Sequence, residues 1–304
     1  MNKLNKIKKF LKLFNFIILI MLTTFFLSSC GGSEVSSNIE SLDANYFKTG
    51  YSGLEISVED NFPPDEMYDN SNLNIVVKLE NKGAYDLSSG LVQVLGFDSA
   101  YVILYDQEGI EFPSEGYFLS GKSLENADGE TERASFSGYV NPIKEGAEKQ
   151  VMKYYLKASY DYTNELVEDV CVDLSSYDVY DSGCELDERK KLNGQGGPLA
   201  ITEIETYTNP SENEIKFYLT VQNKGQGTAD KVTLIQAKLG NDELDCEFRE
   251  GEGIIFDFDK DTGQSTELEC SKRVSGTSSY ETTLYVEYFY SYDLLEQERI
   301  TIKE

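Results

Sequence analysis

Three aspartates spaced two apart, in Asp257-Phe258-Asp259-Lys260-Asp261-Thr262-Gly263, come closest in type and spacing to a site of defined chemistry. Alternate carboxylates in a turn can gather the six or more oxygens that a calcium ion wants. Two positions depart from that loop: the glycine falls seventh rather than sixth, and Leu268 stands twelfth, where a calcium loop has glutamate. Phe256 and Phe258 alternate with Asp257 as they would on a strand, so the stretch reads either as a Ca2+ site on Asp257, Asp259 and Asp261 or as a solvated hairpin tip.

Other chemistries are narrowed by what is missing. The chain has no histidine and no tryptophan, which removes the Ser-His-Asp and Cys-His sites, His-ligated zinc and any imidazole proton shuttle. With 54 acids among 304 residues, carboxylate pairs occur throughout, and spacing alone singles out none as a general acid and base. Gly194-Gln195-Gly196-Gly197-Pro198 does not follow a strand as a phosphate loop does, and it reads as linker. The expectation is a protein that is not an enzyme and needs no cofactor beyond a calcium ion at the aspartates.

The chain opens with Lys3, Lys6, Lys8, Lys9 and Lys12, then an apolar run from Leu13 to Leu27, then Ser28-Ser29-Cys30-Gly31-Gly32. A charged head, a short apolar middle and small residues before the break are the parts of a secretory signal. Fifteen residues that include Asn15 are short for a bilayer, which takes about 20; the alternative is an uncleaved anchor helix. Leu27-Ser28-Ser29-Cys30 resembles a lipobox, the signal-peptidase motif of lipoproteins, and the resemblance implies lipidation of Cys30 and a membrane partner through that anchor. Export of the remainder follows on either reading.

Without the five lysines of the head, 22 basic residues stand against 54 acidic ones, a net charge of −32. Such a surface repels nucleic acid and anionic lipid heads and favours cations and basic partners. Cys171, Cys184, Cys246 and Cys270 form an even set in an exported chain and read as two disulfides, with one local pair per repeat preferred, Cys171 with Cys184 and Cys246 with Cys270. Each would contribute about 3 kcal/mol by closing a loop. A zinc site lacks both a Cys-x-x-Cys pair and a histidine.

The elements that must position these residues are strands. Leu73 to Gly83 (LNIVVKLENKG) returns 142 residues later as Ile215 to Gly225 (IKFYLTVQNKG). In both copies alternate apolar residues mark a half-buried strand, and Asn-Lys-Gly supplies its turn. Met152, Tyr154, Leu156, Ala158 and Tyr160 match Leu284, Val286, Tyr288, Tyr290 and Tyr292 at a spacing of 132, and Ser159-Tyr160-Asp161 recurs as Ser291-Tyr292-Asp293. Turn signals recur about every ten residues, the mark of an all-β sandwich. The expected organisation is a signal peptide over 1–29, a lipid-anchored flexible tether over 30–51, one immunoglobulin-like sandwich over 52–174, a linker over 175–197 with a hinge near Gly194 to Pro198, and a second sandwich over 198–304. Separate strands are expected at Val151 to Tyr162 and Val167 to Leu174, and again at Thr282 to Tyr292 and Glu298 to Ile302.

Val76 to Ala84 with Leu91 to Leu95, and Phe217 to Ala229 with Val232 to Leu239, resemble the CARDB-type and related immunoglobulin-like domains of prokaryotic surface proteins. That resemblance implies a fold and a location, and it brings no catalytic residues. The 21 tyrosines include Tyr285, which with Phe289 faces away from Leu284, Val286 and Tyr288, as Tyr155 does between Lys153 and Lys157. Exposed, Tyr285 and Phe289 would form an interface for a surface protein or glycan; packed, they would lie across a neighbouring strand. The expected function is a non-catalytic, lipid-anchored cell-surface protein acting in adhesion, spacing or assembly. The alternative is a surface glycan- or cation-binding receptor module.

Overall fold

The structure, a computed structural model, describes residues 44–174, 183–258, 264–274 and 279–304. Cys30 lies outside them, as do Asp259 and Asp261. The fold is all-β. After a 3-10 turn at Ala44–Phe47 come β1 (Leu54–Val58), β2 (Glu66–Tyr68), β3 (Ser71–Asn81), β4 (Gly90–Leu95), β5 (Val102–Leu104), β6 (Ile110–Phe112), β7 (Thr131–Val140), β8 (Lys149–Val172) and β9 (Arg189–Lys191). The chain continues through β10 (Leu199–Asn209), β11 (Glu214–Asn223), β12 (Thr228–Leu239), β13 (Asp242–Glu243), β14 (Asp245–Phe248), β15 (Ile255–Asp257), β16 (Ser265–Arg273) and β17 (Tyr280–Lys303).

Three sheets result. One has the order β1-β3-β7-β5, one β14-β16-β11-β10-β9, and the third runs β13-β12-β17-β8-β4-β6 with β15 and β2 at its margins. Alternate residues from Met152 to Leu166 are buried on a single face of β8, and they join one apolar cluster with Leu73, Ile75, Val77 and Leu79 of β3 and Ile215, Phe217, Leu219 and Val221 of β11. Both smaller sheets therefore cover the same face of the large one, which is compatible with paired β-sandwiches.

The long strands differ from the sequence expectation. The two strands expected over 151–174 are one, β8, and the two expected over 282–302 are one, β17. These pair antiparallel without a register break from Tyr280 opposite Val172 to Lys303 opposite Lys149. In β8 the strand runs on because Asn164 finds a partner: it is fully buried, and its amide donates to the Leu199 carbonyl at 2.9 Å.

Tyr160 stands opposite Tyr292, the residue that repeats it 132 positions on. A local two-fold axis thus passes between equivalent residues. Lys149 to Ser159 runs between β17 and, from Tyr155 onward, β4; beyond Tyr160, among the described residues, β17 alone pairs with β8. Correspondingly, β17 lies between β12 and β8 as far as Asp293, after which it serves the first half. Each long strand is central in its own half and marginal in the other.

Residues 43–304 form one compact unit. The described part of the stretch expected as a linker, 183–197, packs into it: Arg189–Lys191 pair with Glu203–Glu205, and Gln195 is 4% exposed. Gly194 and Gly196 adopt left-handed backbone (φ 81° and 73°) where the chain bends through a crowded centre. Part of the expected tether is docked as well, since the Gly50 N–H donates to the Asn193 carbonyl at 2.8 Å. Cys171 is bonded to Cys184, and Cys246 to Cys270 across the β14–β16 pair.

Because no break divides the β8–β17 ladder, both halves are expected to unfold in one cooperative transition by urea denaturation, followed by fluorescence and by far-ultraviolet dichroism. Two resolved transitions would contradict the shared ladder.

Candidate interaction surfaces

Two repeated asparagines set the turns that flank the two-fold axis. The Asn81 carboxamide oxygen accepts from Gly83 N–H at 3.1 Å while its amide donates to the Tyr85 carbonyl at 2.8 Å; Asn223 repeats this with Gly225 at 3.0 Å and the Gly227 carbonyl at 2.8 Å. Asn at the head of a turn satisfies backbone that would otherwise be buried unpaired.

Under these turns lies a tyrosine cluster. Tyr160 and Tyr292 rings sit 5.7 Å apart, and Tyr162 and Tyr290 5.8 Å. Their hydroxyls are spent on backbone. Tyr162 Oη donates to the Gly196 carbonyl at 2.9 Å and accepts from Tyr85 N–H at 3.1 Å. Tyr288 Oη donates to the Leu199 carbonyl at 3.0 Å, and Tyr292 Oη accepts from Gly227 N–H at 3.0 Å. Burial pushes the phenols of Tyr160, Tyr162, Tyr288 and Tyr290 well above their ordinary value. This apolar body with a bonded tip is the ordinary use of buried tyrosine.

Among the described residues, no sheet covers the opposite face of the large sheet. Across its middle runs a cleft of about 710 Å³, lined by Asp161, Asp230, Ser291, Asp293, Glu115 and Tyr117 among others. Here the two Ser-Tyr-Asp motifs meet. Asp161 stands opposite Ser291 and accepts from its hydroxyl at 2.7 Å, while Asp293 pairs with Lys157 at 3.0 Å. In both copies the tyrosine turns into the core, leaving serine and aspartate on the open face. Tyr117 overhangs this acidic cleft at 72% exposure. A polar cleft with an exposed ring suits a hydroxyl-rich or cationic ligand.

Tyr285 and Phe289 lie on this open face and are half-buried. Phe289 stands between Thr233 and Thr163 on the neighbouring strands. Tyr285 Oη lies 3.2 Å from Glu287 Oε2 and 3.5 Å from Glu165 Oε1, and burial together with these carboxylates pushes its phenol up to about 12. They form part of a polar-aromatic surface rather than a projecting patch. Asp257 is exposed at the end of β15 with its backbone opposite Lys231, and the buried Phe256 and Phe258 flank it. Its expected partners Asp259 and Asp261 fall outside the described residues, which contain no cluster of three metal-ligating side chains.

No family model matches the chain, and no curated protein does. Among solved structures, it is similar to Escherichia coli alpha-2-macroglobulin activated by porcine elastase, at 9% identity and a TM-score of 0.17 over 83% of this chain. That alignment spans 22% of the macroglobulin. The CupB6 tip adhesin from Pseudomonas aeruginosa aligns at 8% identity and a TM-score of 0.19, over 84% of this chain and 98% of the adhesin. A DUF4466 family protein from Parabacteroides merdae aligns at 12% identity and a TM-score of 0.17, over 78% and 99% of the two chains. Likenesses this distant carry no argument about fold or function.

Tyr162→Phe keeps the ring but leaves Tyr85 N–H without its acceptor and the Gly196 carbonyl with Ala84 N–H alone, so a loss of about 1–3 kcal/mol in denaturant unfolding is expected. The wild-type protein is expected to lose stability as pH rises above about 10: raised phenols stay protonated when folded and ionise when unfolded, so the unfolded state binds fewer protons there. Stability that is flat from pH 8 to 11.5 would contradict the buried-hydroxyl network.

Proposed function

We propose that this is a non-catalytic, lipid-anchored protein of the cell surface that acts as a spacer and as an adhesion or assembly module. The observation that carries the reading is the unbroken pairing of β8 with β17, which welds two sandwiches into one stiff body. Strands of this length extend to roughly 80 Å at about 3.3 Å per residue, a reach suited to holding a binding face away from a membrane. Each half is read as an immunoglobulin-type sandwich of the CARDB kind. The order β1-β3-β7-β5 corresponds to one immunoglobulin sheet, and the last strand of the other sheet is lent by the opposite half. Two disulfides suit an oxidising exterior. Lipidation at Cys30 supplies the anchor in this reading.

A glycan- or cation-binding receptor is the second reading, favoured by the acidic cleft beneath Tyr117. Calcium at Asp257, Asp259 and Asp261 belongs to it, and equal, featureless calcium titrations of the wild type and Asp259→Ala would remove that ion.

The test uses native cells. Wild type is expected to take up labelled fatty acid and to recover a defined surface protein in a pull-down. Cys30→Ala should lose the label, and Tyr285→Ala with Phe289→Ala should lose the partner. Unlabelled wild-type protein would overturn the anchor, whereas recovery of only a sugar or a metal would favour the receptor.

A further inference from the structure

The two-fold axis relates two slots, each between the edge of a small sheet and the unpaired margin of a long strand. In the second half the chain fills its own slot. The Gln195 side-chain amide accepts from Ile201 N–H at 2.8 Å and donates to the Ile201 carbonyl at 2.9 Å, imitating a paired strand on the edge of β10. Ala84 N–H donates to the Gly196 carbonyl at 2.8 Å. A little further along, β9 extends the β10 edge, and Lys190 pairs with Glu168 and donates to the Asp169 carbonyl at 3.1 Å.

The first half has the same groups without the filling. Ile56 stands opposite Leu79 as Ile201 stands opposite Val221, and these partners are 142 apart. Lys82 N–H bonds the Gly53 carbonyl and Glu59 N–H bonds the Val76 carbonyl, so odd-numbered residues turn toward β3 and Ile56 presents its N–H and C=O outward. Gln226 repeats Ala84, and among the described residues its N–H has no partner. These groups open into a cleft of about 530 Å³ bounded by Leu54, Glu55 and Ile56 on one side and Leu294 and Glu296 on the other. The cause of the vacancy is visible. Gly50, which precedes β1 as Gln195 precedes β10, lies instead against the second half, accepting from Gly196 N–H at 2.9 Å.

Charge selects the occupant. Glu296 and Glu298 project from the inward side of β17 between buried Leu294 and Ile300, whereas Glu55 lies on the outer face of β1; Lys224 also lines the cleft. Burial, and after it the neighbouring Glu296, hold the Glu298 carboxyl above its ordinary range. Inward charges on a sheet edge repel a like-charged strand, which disfavours a second copy of this acidic chain. The second half has Asn164 and Leu166 at the positions that repeat as Glu296 and Glu298, and sets Lys190 against Glu168 on the β8 margin.

We propose that the cleft between β1 and the Leu294–Ile300 margin of β17 receives an extended basic segment of a partner protein, which adds to the β1 edge through Ile56 and Gln226 backbone and sets Lys or Arg against Glu296 and Glu298. This gives the assembly reading a partner class and in that sense rests on it. Binding of a purified peptide tests the slot alone, whereas the cell-surface pull-down tests the role, so the two fail separately.

The probe is a synthetic peptide with this chain's own sequence from Arg189 to Gly197, added to protein comprising residues 43–304, the compact unit. Saturable binding is expected, with slowed amide exchange at Ile56 and Gln226. Glu296→Lys, at an exposed position, should keep the melting temperature and weaken binding about tenfold or more. A peptide with its three basic residues replaced by glutamate should not bind. No binding by the basic peptide, equal binding by the Glu296→Lys protein, or protection confined to other amides would each overturn the proposal.

Discussion

Everything in this fold depends on one ladder, the antiparallel pairing of β8 with β17 across the two-fold axis. Neither half is closed without it. The part of β8 beyond Tyr160 and the part of β17 beyond Asp293 each border a core that belongs to the other half, so apolar side chains such as Leu166 and Ile300 are buried only because the exchange occurs. A hairpin turn at the axis would have given two independent domains. The strands continue because buried polar residues there, Asn164 above all, bond to the segment crossing over them.

That crossing segment explains the tyrosines. Residues 194–199 run through the middle of the molecule, where unpaired carbonyls and amides would each cost about 1–3 kcal/mol. Tyr162, Tyr288 and Tyr290 fill the space with rings and end in hydroxyls that reach Gly196 and Leu199. A phenylalanine ladder would pack as well and leave the Tyr85 and Leu199 N–H groups without those hydroxyls. Glycine at 197 serves the same crowding from the other side, since a Cβ there would fall 2.3 Å from the Asn164 side chain.

Symmetry then leaves a difference. The chain has one crossing segment and two equivalent slots, and the segment occupies the second-half slot along with the residues leading to β1. The first half is left with an open edge and a row of glutamates on an already acidic molecule. Charge of this sign at an edge keeps like strands apart and admits basic ones.

Much was legible in the sequence because strands write themselves with a period of two. The alternation around Leu73 and Ile215, the two spacings of 142 and 132, and the turn chemistry of Asn81 and Asn223 depend on local residues, and they gave the β-units and the repeat. The Ser-Tyr-Asp motif was visible twice, but alternation assigns a side chain to a face without naming the strand that lies opposite. Whether the chain turns back at Tyr160 or runs on is a competition between a local hairpin and a partner more than a hundred residues away. Short β2, β6 and β9 were missed for the same reason, since three residues carry no period. Gly194 to Pro198 read as a hinge because glycine clusters are flexible alone; only the packed neighbours, Tyr162 and Asn164 among them, make the same glycines a crowded, fixed segment. Composition and local pattern determined the β-units, their burial and their charge. Long-range register, which no local pattern encodes, decided that the two repeats share strands.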